Sequence, residues 1–316
     1  MKRSLRFVVN LILVIVMANF YTTSASATDF TYVDVSQQIY SYDSLCEDIS
    51  QLCIGHEEFM NYESIATTSQ GRNIWLIRFG NLEAENKILI TASIHAREYM
   101  TAQLVMRMLE EYTLNYDIPQ LDGTTYRQYF SNCCFYILPM LNPDGVTICQ
   151  YAPGGSKFKA NGNGVDLNRN FPIGFGQGGG LSKVPAPCYY PGVAPLSEYE
   201  TMTLANLINT VPFAACINYH SMGNINYYGS SINTPENAQR CKNMAAVIGS
   251  INGYRAKYCG VANGSFADYF YAVTDAPSVT IEIGTATPVP IGQFTDIYNR
   301  NIAVWKIIAG QYLQLP

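Results

Sequence analysis

The amino-acid sequence predicts an α/β fold, a single domain whose central β-sheet is covered by helices on both faces. Apolar runs typical of buried strands alternate along the chain with amphipathic helical segments, which is the pattern of such sheets. Apolar residues make up 48% of the chain and charged residues only 14%, so a large core is expected and disorder is not. A length of 316 residues is compatible with one α/β domain.

The first predicted elements are a helix and two strands. Residues 42–53 carry apolar side chains at helical spacing, among them Leu45 and Ile49 on one face. A turn signal precedes the apolar strand predicted over residues 74–79. The continuous apolar run over residues 87–94 is typical of a strand that is buried on both faces, and it ends at His95.

The next elements continue this alternation. Residues 101–116 are predicted as a helix because apolar side chains lie on one side of it, opposite two acidic residues. Residues 134–139 form a predicted strand that ends in a proline, and residues 142–145 are predicted as a turn. The Gly- and Pro-rich stretch 152–195 has little regular pattern, and loops of that length are commonly functional or disordered.

The second half of the chain repeats the pattern. Helices are predicted at 197–209, 237–252 and 294–313, and strands at 213–219 and 278–283. His220 directly follows a strand, as His95 does. Ligands of α/β sheets bind beyond the carboxyl ends of strands, so two of only three histidines lie where a site is expected.

Residues 1–27 are predicted to be a signal peptide, which leaves residues 28–316 as the mature chain. Three basic residues precede a mostly apolar run over residues 7–21, and residues 25–27 match an Ala-x-Ala cleavage site. The apolar run is shorter than the ~20 residues that a membrane span needs, with an uncleaved anchor as the alternative. We therefore expect a secreted protein, free or at the cell wall, with no membrane span after cleavage.

Composition also limits the partners and the redox chemistry. The net charge is −5 and no Lys/Arg block occurs, which argues against nucleic acid as a partner. The nine cysteines are an odd number, and export would permit disulfides. A bond between Cys149 and Cys188 would tie down the irregular stretch. No C-x-x-C motif supports a thiolate zinc site.

His95 and Glu98 are candidate metal ligands, because a turn brings an imidazole and a carboxylate three residues apart to one side. Zinc hydrolases commonly use two imidazoles and one carboxylate and leave the fourth position to water. The second imidazole is either His220 or His56, which lies in a predicted loop. Rigid elements normally hold metal ligands, so His220 is favoured. The alternative for this motif is a surface ion pair of Glu98 with Arg97.

The irregular stretch supplies further polar groups. A carboxylate beside a metal-bound imidazole orients it, and we expect Asp166 to do this for His95. Arg169 with Asn168 is suited to clamp a substrate carboxylate, since a guanidinium binds a carboxylate through two hydrogen bonds. A loop-stabilising ion pair is the alternative for Arg169.

Seven short motifs follow one another along the chain. They are QGRNIW from residue 70, HARE from 95, NPDG from 142, GVDLNRNF from 164, PLSE from 195, YHS from 219 and TIEIG from 280. In this order they resemble the zinc carboxypeptidase family of metallopeptidases. The resemblance runs from about residue 32 to the C-terminus. It is strongest to short secreted bacterial members without a large pro-domain. It implies one catalytic domain with a mixed central sheet and one zinc ion.

The resemblance also implies roles, position by position. Three residues match the zinc ligands: His95, Glu98 and His220. Glu282 matches the glutamate that activates the attacking water. Asn168 and Arg169 match the pair that holds the terminal carboxylate of the substrate.

Four further matches complete the implied site. Arg97 matches an arginine that lines the substrate groove. Lys159 stands where the family has an arginine that polarises the scissile carbonyl, and a lysine still stabilises an oxyanion as a point charge. Tyr258, with Tyr254 as a substitute, matches the mobile tyrosine that closes over substrate. Phe266 lies where the floor of the side-chain pocket is expected, and an aromatic there would disfavour basic terminal residues.

The function implied by the resemblance is that of a monomeric, zinc-dependent metallocarboxypeptidase that hydrolyses the C-terminal peptide bond of peptides. One alternative is a cell-wall endopeptidase that cuts γ-D-glutamyl–diaminopimelate bonds with the same zinc site, because residues 159–166 resemble such bacterial members. A second alternative is an inactive peptide-binding homologue. A third is a different metal, since Fe(II), Co or Mn also suits two imidazoles and a carboxylate.

Overall fold

Strands and helices alternate along residues 32–312, the part of the chain that a computed structural model describes. The strands are β1 Met60–Thr67, β2 Asn73–Gly80, β3 Asn86–Ala92, β4 Cys133–Leu138, β5 Phe213–His220, β6 Ile225–Ser230, β7 Arg255–Gly260 and β8 Ser278–Glu282. The longer helices are α1 Tyr42–Cys53, α2 Met100–Leu114, α4 Pro143–Tyr151, α5 Tyr199–Thr210, α6 Pro235–Asn252, α7 Phe266–Thr274 and α8 Phe294–Asn301. Short helices are α3 Tyr126–Tyr129 and α9 Val304–Ile307, with 3-10 turns at Ala96–Glu98, Gly155–Lys157, Leu167–Arg169 and Ile291–Gln293.

The eight strands form one mixed sheet in the order β1-β2-β4-β3-β5-β8-β6-β7. The central strands β4, β3, β5 and β8 run parallel to one another. β1, β2 and β6 pair antiparallel with a neighbour, and β7 pairs in parallel with β6. The predicted α/β fold with a mixed central sheet is confirmed.

Both faces of the central sheet are buried, because successive residues of a strand point to opposite faces. Ile88 and Ile90 of β3 belong to a core that includes residues of α1, α2, α6 and α8. Leu89, which lies between them, belongs to a second core with residues of α5 and α7. This burial on two faces explains why β3 is a continuous apolar run in the sequence and not an alternating one.

Elements with a clear apolar period lie where the sequence predicts them. Each of the helices and strands predicted between residues 42 and 283 is found within two residues of its expected bounds. Six helices and strands were not predicted: β1, β6, β7, α3, α4 and α7. β7 shows the reason, since its residues are exposed or only half-buried and show no apolar period.

Two predictions of local structure are wrong. The predicted turn at 142–145 is the start of α4, because the Asn142 side chain accepts a hydrogen bond from the Gly145 N–H at 2.9 Å and so caps that helix. The predicted helix 294–313 is divided into α8, α9 and the π-helical turn Ile308–Tyr312. At the end of α8, the Asn301 side chain bonds the Ile297 carbonyl at 2.8 Å, and such local bonds compete with a regular helix.

The cysteines form no disulfide. All nine lie within residues 32–312 and are unpaired, so the expected bond between Cys149 and Cys188 is wrong. The Cys149 thiol instead donates to the carbonyl of Ser156 at 3.7 Å. The predicted signal peptide, residues 1–27, lies outside the described residues. Between residues 32 and 312, no helix combines the length and the apolar character needed to cross a bilayer.

Candidate metal centre and active site

The candidate site lies at one edge of the sheet, where the carboxyl ends of the parallel strands β3, β5 and β8 meet. His220 is the last residue of β5 and pairs in register with Glu282, the last residue of β8. His95 follows β3 and directly precedes the 3-10 turn that contains Glu98. The topology therefore brings His220 and Glu282, from two remote segments of the chain, beside the neighbouring pair His95 and Glu98.

Glu98 lies between the two histidines. Its Oε1 is 2.8 Å from His95 Nδ1, and its Oε2 is 3.0 Å from His220 Nδ1. One ligand atom from each of the three residues lies within 4.8 Å of the others, and all three residues are buried. Within the described part of the chain, no other group of three or more His, Cys, Asp or Glu is this close.

Asp166 lies on the outer side of His95. The His95 Nε2 atom is buried without a hydrogen-bond partner among the described residues, and it lies 3.5 Å from Asp166 Oδ1. Asp166 Oδ2 accepts hydrogen bonds from Lys159 Nζ at 2.8 Å and from the Tyr189 N–H at 3.3 Å. A carboxylate in this place orients the imidazole and leaves its other nitrogen, Nδ1, to a metal.

The buried carboxylates of the centre are ionised. Burial alone would raise the pKa of Glu98, but the charges and hydrogen bonds of His95 and His220 outweigh burial and hold that pKa below its usual range. The pKa of Asp166 is also lowered in spite of burial, by His95 and Lys159. Burial opposes protonation of His220, yet the Glu98 carboxylate raises the pKa of that histidine.

This donor set fits a zinc ion. Two imidazoles and one carboxylate, with an open fourth position, are the ligands of many catalytic zinc sites. In such sites the ring nitrogen that does not bind the metal faces a carboxylate or carbonyl. His95 Nε2, which has no hydrogen-bond partner among the described residues, faces Asp166 in the same way. His95, Glu98 and His220 would hold the ion through Nδ1, carboxylate oxygen and Nδ1.

The pKa of Glu282 is shifted in the opposite direction to that of Glu98. Burial raises the pKa of Glu282 to about 7; the His220 charge opposes this rise and the Glu98 charge adds to it. The Glu282 Oε2 atom is buried and has no hydrogen-bond partner among the described residues. A carboxylate with a pKa near neutrality can take up a proton and return it.

Asn168 and Arg169 lie on the 3-10 turn Leu167–Arg169 and line the same cavity. Asn168 Oδ1 accepts a hydrogen bond from the Phe266 N–H at 2.8 Å, and Arg169 Nη1 donates to the Asn168 carbonyl at 2.6 Å. No carboxylate in residues 32–312 forms an ion pair with the guanidinium of Arg169 or of Arg97. Both guanidinium groups are therefore available to a carboxylate of a substrate.

The metal centre, Glu282 and the two arginines line one open cavity of about 500 Å³. Phe266 forms part of its wall and packs against Phe171 and Phe270. Further lining residues were not identified from the sequence: Met222, Tyr227, Cys259, Val261 and Asp268. Three of them lie on β6, β7 and α7, the elements that the apolar pattern did not reveal.

Asp268 adds an acidic group to the cavity. It is 4% exposed, and its Oδ2 accepts hydrogen bonds from the Asn263 N–H at 3.1 Å and the Ser265 hydroxyl at 2.6 Å. No donor from the described residues bonds its Oδ1. Phe266, the expected aromatic floor of the side-chain pocket, therefore has a carboxylate beside it in the cavity wall.

The expected covering tyrosine, Tyr258, is not among the residues that line the cavity. It pairs with Tyr228 across β6 and β7, and the two ring centroids are 5.9 Å apart. Its neighbour Cys259 lies on the opposite face of β7 and lines the cavity. Tyr254 is buried in the core. A ring nitrogen of His56 bonds a backbone carbonyl of α1, away from the metal centre.

Known proteins share both sequence and fold with this chain. A family model described as zinc carboxypeptidase matches residues 45–303. The γ-D-glutamyl-L-diamino acid endopeptidase 1 of Lysinibacillus sphaericus is 28% identical over 298 residues, which cover 88% of this chain and 73% of that protein.

Two solved structures superpose on the chain. Carboxypeptidase A of Helicoverpa armigera does so with a TM-score of 0.71 and 20% identity over 96% of this chain and 79% of that one. The murein-tripeptide amidase MpaA of Escherichia coli O157 superposes with a TM-score of 0.55 and 20% identity, over 78% of this chain and 91% of the amidase chain. At such identities these structures support the fold alone. The family match over most of the sequence, together with the assembled donor set, places this chain in the zinc carboxypeptidase family of metallopeptidases.

Proposed function

We propose that the protein hydrolyses the amide bond that precedes a residue with a free carboxylate, with zinc held by His95, Glu98 and His220. One observation carries the proposal: the donor set, Glu282 and the unpaired Arg169 guanidinium line a single cavity. A metal, a base and a carboxylate clamp are the three parts that such a hydrolysis needs.

Bound zinc supplies Lewis-acid chemistry, which polarises a carbonyl and lowers the pKa of water. Glu282 takes the proton from the attacking water at its unpartnered Oε2 and returns it to the leaving amine.

Cationic groups position the substrate around this base. Arg169 and Asn168 bind the carboxylate of the leaving residue and so fix which amide bond faces Glu282. Lys159, held by Asp166, places positive charge beside the oxygen on which negative charge develops.

The cavity favours cell-wall peptides as the substrate class, with ordinary peptide C-termini as the second candidate. A γ-linked glutamyl residue carries its own α-carboxylate near the scissile bond, in addition to the carboxylate of the leaving residue. Two guanidinium groups without an acidic partner, Arg97 and Arg169, match this pair of charges. Asp268 would meet the side-chain amine of a leaving diamino acid. The Lysinibacillus relative is named for the same kind of bond.

Such a substrate lies outside the cytoplasmic membrane, which agrees with the signal peptide predicted at residues 1–27. We propose that the chain is exported and acts as a monomer. Size-exclusion chromatography of the protein from culture medium, with N-terminal sequencing of the mature chain, tests both points.

A substrate panel tests the proposed activity. The zinc-loaded protein is given γ-D-glutamyl-L-lysine and an α-linked acyl-glycyl-L-lysine, each with a free and with an amidated carboxyl group. We expect cleavage of the free γ-linked substrate and little cleavage of either amide. Preference for the α-linked substrate would favour the second candidate. Equal cleavage of free and amidated forms would contradict the clamp, and absence of any cleavage would contradict the proposal itself.

A further inference from the structure

Tyr189 lies against the buried ammonium group of Lys159. Lys159 is 6% exposed although it lines the cavity, and its Nζ lies 2.8 Å from Asp166 Oδ2. The Tyr189 ring centroid is 5.1 Å from the same Nζ, within the range of a cation–π interaction. The ammonium therefore has a carboxylate and an aromatic face as neighbours.

The backbone around Tyr189 is also tied to this pair. The Tyr189 N–H donates to Asp166 Oδ2 at 3.3 Å, and the Asp166 N–H donates to the Tyr190 carbonyl at 2.7 Å. The N–H of Lys159 donates to the Pro187 carbonyl at 2.9 Å. The loop that carries Tyr189 is thus anchored to the segments that carry Lys159 and Asp166.

The choice of residue at position 189 is unfavourable for stability. Tyr189 has a φ of +64°, in the left-handed region that glycine and asparagine adopt more easily than a bulky residue. Its side chain is 44% exposed, so it contributes little to the core. Strained residues of this kind persist where the site requires them.

We infer that Tyr189 is a positioning residue that holds the Lys159–Asp166 pair, so that the ammonium faces the scissile carbonyl. The inference rests on the proposed function for the role of Lys159 in hydrolysis. Lysine is a flexible side chain with a strongly hydrated charge. Without the ring, water would reach the Lys159 ammonium and the side chain would leave its place part of the time.

Three variants of position 189 separate the ring from the backbone. Tyr189→Phe keeps the ring, whereas Tyr189→Asn and Tyr189→Gly remove it and suit a positive φ. All three keep the N–H to Asp166. Val184→Ala is the matched control, because Val184 is an exposed apolar residue of the same irregular stretch.

Two readouts are measured on the zinc-loaded protein. One is kcat and KM for the cleaved substrate; the other is the acetylation rate of Lys159, followed by mass spectrometry, which needs no substrate. We expect Asn and Gly to lower kcat roughly tenfold with little change in KM, and to raise the acetylation rate by a similar factor. Phe and Val184→Ala should stay within about twofold of the wild type. The melting temperature should not fall in the Asn and Gly variants, because backbone strain is relieved.

Each contrary result has a distinct meaning. Unchanged acetylation in the Asn and Gly variants would overturn the inference, as would a Phe variant that is as impaired as the Gly variant. Faster acetylation with unchanged kcat would overturn the positioning role as well. If the wild type cleaves nothing, the proposed function fails, while the acetylation rates still report whether Tyr189 holds Lys159.

Discussion

Replacement of Glu200 by glutamine should stabilise the protein above pH 7 and remove part of its pH dependence. Glu200 is 1% exposed at the start of α5. Asn161 Nδ2 lies 3.3 Å from its Oε2 but 2.8 Å from Glu198 Oε2, so the shorter bond goes to Glu198. Burial, and then the charges of Glu198 and Asp144, raise the pKa of Glu200 to about 7.

The sign and size of the effect follow from this pKa. An exposed glutamate has a pKa of 4.5, so between pH 4.5 and about 7 the folded protein keeps a proton that the unfolded chain has lost. The contribution of Glu200 to stability is therefore fully present below pH 4.5 and is lost as the pH rises through about 7. About 2.5 pH units at about 1.4 kcal/mol per unit correspond to a loss of about 3 kcal/mol in the free energy of unfolding. Glutamine carries no charge and avoids this loss.

Urea unfolding of the wild type and the Glu200→Gln variant at pH 5 and pH 8 measures the effect at one fixed zinc concentration. The free-energy advantage of the variant should be larger at pH 8 than at pH 5 by about 2–3 kcal/mol. Glu236→Gln, at an exposed position in the first turn of α6, is the matched control and should show no such difference. An advantage that is equal at both pH values would refute the reasoning.

Three further predictions concern the active site. Glu282→Gln should keep its zinc in elemental analysis but lose roughly 10²- to 10⁴-fold in kcat, and full turnover would remove it as the base. His220→Ala should lose zinc and have a lower melting temperature that chelator does not reduce further; zinc content equal to that of the wild type would contradict the metal centre. Asp268→Asn should reduce the kcat/KM preference for γ-D-glutamyl-L-lysine over γ-D-glutamyl-L-norleucine roughly tenfold. The control Asp43→Asn changes an exposed residue in the first turn of α1 and should leave this preference unchanged. An unchanged preference would leave Asp268 only its structural bonds to Asn263 and Ser265.

The sequence predicted the elements in which buried positions give a regular pattern of apolar residues. α1 is amphipathic and β3 is buried on both faces, so each shows a recognisable pattern of apolar residues in the sequence. β7 lies at the edge of the sheet and is largely exposed, so its composition follows no period. Three cavity residues lie on elements that the sequence did not predict: Tyr227 on β6, Cys259 on β7 and Asp268 on α7.

The face on which Tyr258 lies also depended on the tertiary structure. The family resemblance implied that Tyr258 lies over the cavity, but the pleat of β7 and its register with β6 put Cys259 on the cavity side. A shift of one residue along a strand moves a side chain to the other face, so spacing alone cannot decide between neighbours.

The sequence by itself determined which chemical groups are present and which of them share a turn, as His95 and Glu98 do. Only the tertiary structure decided that His220 and Glu282 lie beside them, because this depends on the pairing of β5 with β8. It also decided that Glu98 is ionised while Glu282 has a pKa of about 7. Distances between charges and their exclusion from water set these properties, and both arise only when remote segments pack together.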